Sequence, residues 1–200
     1  MSALPERSPS SAPVAFDPQL AARVIADQRR YLPDSFESSA ARISEWMENL
    51  KSSTAALATP FGELSLPRLN RYFPASHLQS VSVVVPPEMP VLPLAEFGFQ
   101  GKLPDAFVGF TIGTTYLIGP GYLGREGIHF HELIHTVQWK ILGAEAFVVA
   151  YAAGLSRHGY RNALLEDMAY ELQSDFENYY SPVDAAARVK SYLERAYAGS

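Results

Sequence analysis

The chain has 200 residues, of which 48% are hydrophobic and 18% charged, and its formal net charge is −5. This composition is typical of a globular domain, and the negative charge argues against a nucleic-acid partner. The chain contains no cysteine, which excludes disulfides, iron–sulfur clusters and cysteine nucleophiles, so any metal ion must be held by histidines and carboxylates.

The N-terminal segment predicts a tail without a packed structure. Residues 1–16 are rich in Ser, Pro and Ala, and we expect a disordered tail there, followed by a single domain over residues 17–200. Glu6 and Arg7 stand where a secretory signal peptide needs its apolar stretch, and no apolar run approaches the roughly 20 residues of a bilayer span. We therefore expect a cytoplasmic protein with no membrane partner.

The first half of the chain predicts helices followed by a strand and a proline-rich segment. Apolar residues recur at helical spacing before residue 60, whereas β-branched residues dominate just before residue 86. The expected bounds are 18–32, 38–57 and 67–73 for the helices, 78–85 for the strand, and 86–104 for the proline-rich segment.

The second half predicts two short strands and then helices only. The strands are expected to join at Ile112-Gly113, and glycine or a glycine-containing turn is expected to end the first two helices. The expected bounds are 106–110 and 114–118 for the strands, and 127–142, 144–156, 160–179 and 182–198 for the helices. Helices, a small sheet and further helices make an α+β fold that is mostly helical.

The segment His131-Glu132-Leu133-Ile134-His135 carries the chemistry. Histidines four residues apart lie on one face of a helix, so His131 and His135 can bind one metal ion, for which zinc is well suited. Glu132 points about 100° around the helix, outside that ligand pair, where it can act on a water molecule as a general base. This pattern has the arrangement of a catalytic zinc site.

A third protein ligand is needed, and the sequence narrows its type. A metzincin would have Gly at position 138 and His at position 141, but the chain has Gln138 and Ile141, and a cysteine ligand is impossible. A carboxylate on a later helix remains. The candidates on the helix predicted over 160–179 are Glu166, Asp167, Glu171 and Asp175.

The motifs HELIHTVQW, HGYRN and LEDMAY resemble those of the small bacterial gluzincins, in a minigluzincin-like form, over about residues 107–175. The resemblance implies a zincin-like fold, zinc held by His131, His135 and Glu166, and Glu132 as the base. It also implies that Ala169 lets two helices approach, and that the strand 114–118 is an edge strand beside the HExxH helix, against which a peptide lies.

Helical spacing independently favours Glu166 among the four carboxylates. The buried face of its helix is expected to comprise Leu165, Met168, Leu172, Phe176 and Tyr179. Glu166 lies at the border of that face, with the small Ala169 one turn later, whereas the other three carboxylates are expected to face away.

The chain departs from the larger gluzincins at Tyr170, where they often have an Asp that supports a histidine ligand. Another carboxylate or a backbone carbonyl is therefore expected to orient the imidazoles. The candidates for stabilising an oxyanion are Tyr160, His158 and Tyr170. The two remaining histidines are interpreted as structural, with His77 on the surface and His129 at a helix start.

Three functions follow as expectations, of which the third is a toxin or a regulator-cleaving enzyme with one protein target, which the sequence does not separate from the first. The first is a zinc-dependent peptidase, which hydrolyses peptide bonds by a zinc-bound water that Glu132 activates, with a peptide or protein as its substrate. The second is a latent or non-catalytic regulatory protein with a peptidase-like fold, in which the segment 86–104 covers the cleft. The retention of Glu132 favours catalysis, because a purely structural zinc site does not need it. The sequence predicts neither the cleavage specificity nor the oligomeric state.

Overall fold

The computed structural model describes residues 12–93, 107–179 and 182–199, so the predicted tail up to residue 11 and most of the proline-rich segment lie outside the described residues. The fold is α+β, with helices predominating. The helices are α1 (Pro18–Arg29), α2 (Phe36–Thr54), α3 (Ala75–Leu78), α4 (Glu126–His158), α5 (Leu164–Asn178) and α6 (Ala185–Ala196). Single 3-10 turns cover Ala55–Leu57, Phe61–Glu63, Pro67–Arg71 and Pro120–Tyr122.

A four-stranded mixed sheet lies beside α4. Its strands are β1 (Ala58–Pro60), β2 (Ser82–Val84), β3 (Gly109–Ile112) and β4 (Thr115–Ile118), in the order β1-β2-β4-β3. β2 pairs with β4 in parallel, and β3 pairs with β4 antiparallel. The strand predicted over 114–118 is therefore central rather than an edge strand, and the edge strand that contacts α4 is β3.

The long helix α4 forms the centre of the core, against which α1, α5, α6 and β3 pack. The predicted stripe along it is confirmed, since Phe130, Ile134, Val137 and Ile141 are all buried. Gly143 interrupts α4 with φ of 73°, a left-handed conformation that glycine adopts without strain, so α4 consists of two helical segments as predicted.

The N-terminal residues that the structure describes pack on this interruption. The Asp17 N–H donates to the Ile141 carbonyl at 2.9 Å, and Val14 belongs to the hydrophobic core. Phe16 lies against Gly143, where an added Cβ would come within 3.0 Å of its ring. The packed part of the chain thus extends at least to Val14, before the predicted boundary at residue 17.

Several predicted element bounds are corrected. The strand expected over 78–85 is shorter, because α3 occupies residues up to Leu78 and β2 begins at Ser82. The turn between β3 and β4 lies at Gly113-Thr114, one residue later than expected, and Gly113 has φ of 63°. α6 begins after Asp184, whose carboxylate caps it by accepting from the Ala187 N–H at 2.9 Å.

The described residues include no helix that is both long enough and apolar enough to cross a bilayer.

His77 is fully buried, so the prediction of a surface histidine is wrong. Its Nε2 lies 2.8 Å from Thr136 Oγ1, and the Thr136 hydroxyl donates to the Leu133 carbonyl at 2.7 Å. Because that hydroxyl proton is already used, His77 donates from Nε2–H to Thr136. Burial, together with the positive charge of Lys140, lowers the pKa of His77 to about 4.

This burial makes a prediction about stability and pH. In the unfolded chain His77 titrates near its ordinary pKa of about 6.5, so between pH 6.5 and 4 the unfolded state binds more protons than the folded state. Stability is therefore lost as the pH falls through this window, by about 3 kcal/mol from His77 alone. Urea unfolding measured from pH 7 to pH 4 should show this loss of unfolding free energy in the wild type. In His77→Gln, which keeps an N–H donor, the free energy of unfolding should fall less steeply with falling pH. The exposed His158→Gln is the control, and parallel curves for all three proteins would contradict the assignment.

Candidate metal centre

The two histidines of the motif project from one face of α4 into the protein. His131 and His135 are 6% and 5% exposed, and their Nε2 atoms lie 3.1 Å apart. This close approach follows from their spacing of four residues, which stacks side chains on one face of a helix.

Glu166 completes the cluster from the first turn of α5. It is 2% exposed, and its Oε2 and Oε1 lie 3.4 Å from His131 Nε2 and 3.5 Å from His135 Nε2, respectively. The buried group of His131, His135 and Glu166 could therefore hold a metal ion. The structure brings together the three residues that the sequence analysis named as ligands.

The separations of these atoms are of the size expected in a metal site. Ligand atoms at about 2.0–2.1 Å from a zinc ion, placed at tetrahedral angles, lie roughly 3.3–3.4 Å from one another. The two Nε2 atoms are 3.1 Å apart, and they lie 3.4 and 3.5 Å from different oxygens of Glu166. With one ligand atom from each residue, the three atoms lie within 4.8 Å of one another, so the cluster could hold an ion.

Two glutamine side chains set the tautomers of the imidazoles. The Gln138 amide nitrogen donates to the Leu165 carbonyl at 3.0 Å, which leaves its oxygen to accept from His135 Nδ1–H at 2.8 Å. The Gln173 amide nitrogen donates to Glu177, so its oxygen accepts from His131 Nδ1–H at 3.1 Å. With the proton on Nδ1, the lone pair of each neutral imidazole is on Nε2 and faces the cluster.

The cluster consequently consists of acceptors that need a positive charge between them. In the neutral form of both imidazoles, two bare Nε2 atoms face the Glu166 carboxylate, whose Oε2 has no hydrogen-bond donor among the described residues. Burial lowers the pKa of His135, but Glu166, together with Glu132 and the hydrogen bond to Gln138, outweighs it and raises that pKa to about 9, so without a metal ion a proton on Nε2 supplies the positive charge. A buried site that attracts a proton so strongly is also suited to a cation.

The glutamines replace the expected support for the imidazoles. A carboxylate or a backbone carbonyl is the support that the sequence predicts, whereas in the structure the side-chain amide oxygens of Gln138 and Gln173 accept from the histidines. Tyr170 packs its ring against His131 at 4.5 Å between centroids. Tyr151 holds the Glu166 carboxylate, donating from its hydroxyl to Glu166 Oε1 at 2.8 Å.

Loss of one glutamine is expected to weaken metal binding without removing a ligand. Gln138→Leu takes away the acceptor that holds the His135 ring and its tautomer, and partners of this kind typically contribute 10–100-fold in metal affinity. Competition with a zinc chelator should show a loss of about that size. The exposed Gln19→Leu is the control, and unchanged affinity in Gln138→Leu would show that Gln138 does not orient the ligand.

Glu132 lies beside the cluster but outside it. Its side chain is buried, at 4% exposed, and its Oε2 accepts from the Thr111 hydroxyl of β3 at 2.6 Å. Burial raises the pKa of Glu132, and the two histidines and the Thr111 hydrogen bond act in the opposite direction. A buried carboxylate with a raised pKa next to a candidate metal centre can accept and return a proton.

A cavity of about 90 Å³ opens onto this group of residues. Glu132, His135 and Glu166 form its polar part, and the remaining wall is largely apolar and aromatic. The apolar wall comes from α2, from β3 with the residue that precedes it by two, from α4 with the residue that follows it by two, and from Leu92. Its larger side chains are Ile43, Trp46, Met47, Phe107, Phe110, Trp139, Phe147, Tyr151, Leu155 and Tyr160. The polar groups therefore face a small space with a mainly apolar lining.

The structure separates the three oxyanion candidates. Tyr160 lines the cavity, whereas His158 is exposed at the end of α4, and Tyr170 contacts the His131 ring. Burial, with a smaller contribution from Glu166, raises the pKa of Tyr160 far above its ordinary value, so its hydroxyl keeps its proton. Of the three candidates, Tyr160 is the one that lines the cavity, and its hydroxyl is hydrogen-bonded to that of Tyr170.

Most of the supporting residues could not have been recognised from the local sequence. Gln138 follows His135 by three residues, and this spacing could have indicated the contact. By contrast, Gln173 is 42 residues from His131 and Thr111 is 21 residues from Glu132, so only the tertiary fold brings these pairs together.

Comparison of the chain with protein-family models, with curated proteins and with solved structures found no match.

Proposed function

We propose that this protein is a zinc-dependent peptidase of the gluzincin type with a zincin-like fold. One observation carries the proposal: a buried cluster of two histidines and a glutamate adjoins a second buried glutamate that is not part of the cluster. The pattern of three ligands and one separate carboxylate is what a hydrolytic metal site needs.

Zinc is the metal that this ligand set favours. Two imidazole nitrogens and one carboxylate make a typical catalytic zinc set, and no softer thiolate ligand exists in the chain. A zinc ion held by His131, His135 and Glu166 would supply Lewis acidity and would lower the pKa of a water molecule to about 7.

The residues around the cluster supply the proton transfers. Glu132 accepts the proton of the attacking water on its carboxylate and then returns it to the leaving amine, so it ends the reaction in the state in which it began. The Tyr160 hydroxyl donates a hydrogen bond to the carbonyl oxygen as negative charge develops there, and it keeps its proton. The apolar wall of the cavity limits the water around these groups, which strengthens their electrostatic interactions.

The substrate class that we propose is a peptide or protein. Among the described residues β3 is one of the two edge strands of the sheet, and it is the one that contacts α4, so an extended peptide can be placed along it by backbone pairing. The Glu132 carboxylate contacts this same strand through Thr111. A scissile bond of a peptide along β3 would thus lie close to the general base.

A digest of a peptide library tests the proposal. The protein is loaded with one equivalent of zinc, incubated with the library, and the products are identified by mass spectrometry. We expect cleavage that is lost after treatment with a chelator and restored by zinc.

The alternative is a latent regulatory protein. One observation favours it: α2 contributes a wall of the cavity, formed by Ile43, Trp46 and Met47. Stoichiometric zinc binding without cleavage of any peptide would contradict a peptidase and support this alternative.

A further inference from the structure

The carboxylate of Glu132 is held by the edge strand rather than by the helix that carries it. The Thr111 hydroxyl lies 2.6 Å from Glu132 Oε2 and 3.4 Å from the Glu132 carbonyl oxygen. A hydroxyl has one hydrogen to donate, and the shorter contact, to the group that can carry charge, takes it. Thr111 is itself 6% exposed, so water hardly competes for this bond.

Gly109 leaves the space that the same carboxylate occupies. A Cβ added at residue 109 would lie 2.2 Å from Glu132 Oε1 and 2.6 Å from its Cδ, far inside van der Waals contact. Gly109 is not among the glycines with positive φ, so its backbone conformation does not itself require glycine. The requirement for glycine comes from the close approach of Glu132.

The positions of these two residues are fixed by the sheet. Gly109 and Thr111 are two residues apart, so they lie on the same face of β3. Their registers are set by pairing with Ile118 and Tyr116 of β4. β3 therefore presents one open position and one hydroxyl donor to the carboxylate, independently of the residues that form the metal cluster.

We infer that Thr111 and Gly109 are positioning residues for the general base. Thr111 holds Oε2, and the open space at Gly109 admits Oε1, so that Oε1 is the oxygen left to accept the proton. The role rests on the proposed peptidase function, but the contact between Thr111 and Glu132 can be tested without activity.

The kinetic test compares Thr111→Val, which keeps the shape but removes the hydroxyl, with Thr111→Ser, which keeps the hydroxyl. A misplaced catalytic group costs roughly 10²-fold in rate. We expect kcat to fall by about that factor in Thr111→Val, with KM and zinc content unchanged, and to recover to within a few-fold in Thr111→Ser. In a Glu132→Gln background, Thr111→Val should cause no further fall.

Gly109→Ala provides a second, independent variant. The added methyl group must displace the Glu132 carboxylate, so kcat should fall while zinc is retained. Gly62→Ala is the matched control, because a Cβ at residue 62 meets no atom within 4 Å. Equal losses in Thr111→Ser and Thr111→Val, or full activity in Gly109→Ala, would overturn the inference.

Thermal unfolding tests the contact if no peptide is cut. Thr111→Val should lower the melting temperature in the wild-type background and have a much smaller effect in a Glu132→Ala background, because the two side chains are coupled. Equal shifts in the two backgrounds would show that the hydrogen bond does not hold Glu132. Absence of cleavage together with a clear coupling would overturn the peptidase proposal and the catalytic role of these residues, but not the contact.

Discussion

Glu132→Gln is expected to keep the metal ion and to slow peptide hydrolysis by about 10²–10⁴-fold. The amide is nearly isosteric with the carboxylate, and its oxygen can still accept from the Thr111 hydroxyl that holds Glu132. However, the amide cannot take the proton of the attacking water, so only the chemical step is affected. The measurement is the rate of cleavage of one verified peptide, with zinc content determined on the same samples.

Glu145→Gln is the matched control for this variant, because Glu145 lies on the same helix but is exposed. It should cleave at the wild-type rate. Cleavage at the wild-type rate by Glu132→Gln as well would show that another group is the base, and loss of zinc from Glu132→Gln would show that Glu132 supports the metal centre directly.

Glu166→Ala is expected to lower zinc affinity by orders of magnitude. The change removes both carboxylate oxygens that lie 3.4 and 3.5 Å from the histidine Nε2 atoms. It also leaves the Tyr151 hydroxyl without the acceptor to which it donates. Two histidines alone would remain, and a third protein ligand is usual in catalytic zinc sites. Zinc affinity is measured by competition with a chromophoric chelator.

Glu171→Ala is the control, since Glu171 lies on the same helix α5 and is exposed. Its zinc affinity should equal that of the wild type. One equivalent of zinc retained through dialysis by Glu166→Ala, with loss instead on replacing another carboxylate, would contradict the assignment of the third ligand.

The pair of histidines in the cluster was predictable because their spacing is local in the sequence. His131 and His135 are one helical turn apart, and a helix makes them neighbours whatever the rest of the fold does. Glu166 required a further argument, from the face of α5, and the structure confirms that Leu165, Met168, Leu172 and Phe176 are buried beside it.

Tyr179 lies just beyond the end of α5, where helical spacing no longer predicts the direction of a side chain. It was expected on the buried face of α5, but it is 65% exposed. The helix stops at Asn178, and Tyr179 has an extended backbone with φ of −119° and ψ of 132°. A residue beyond the last helical turn no longer follows the helical repeat, so its side chain leaves the face that the repeat predicts.

The order of the strands and the surroundings of His77 were not predictable from local patterns. A pattern of β-branched residues indicates a strand but not its neighbours, and the parallel pairing of β2 with β4 places β4 inside the sheet and leaves β3 at one edge. His77 is buried because its partner Thr136, 59 residues away, satisfies its Nε2. In both cases the deciding contacts join distant parts of the chain.

The metal content of the protein tests the central claim most directly. The protein is purified without added metal, dialysed, and analysed for zinc by inductively coupled plasma mass spectrometry, before and after incubation with excess zinc and removal of the unbound ion. We predict about one zinc ion per chain, held by His131, His135 and Glu166, and its loss in Glu166→Ala. Zinc at background level in the wild type after such loading would contradict the account.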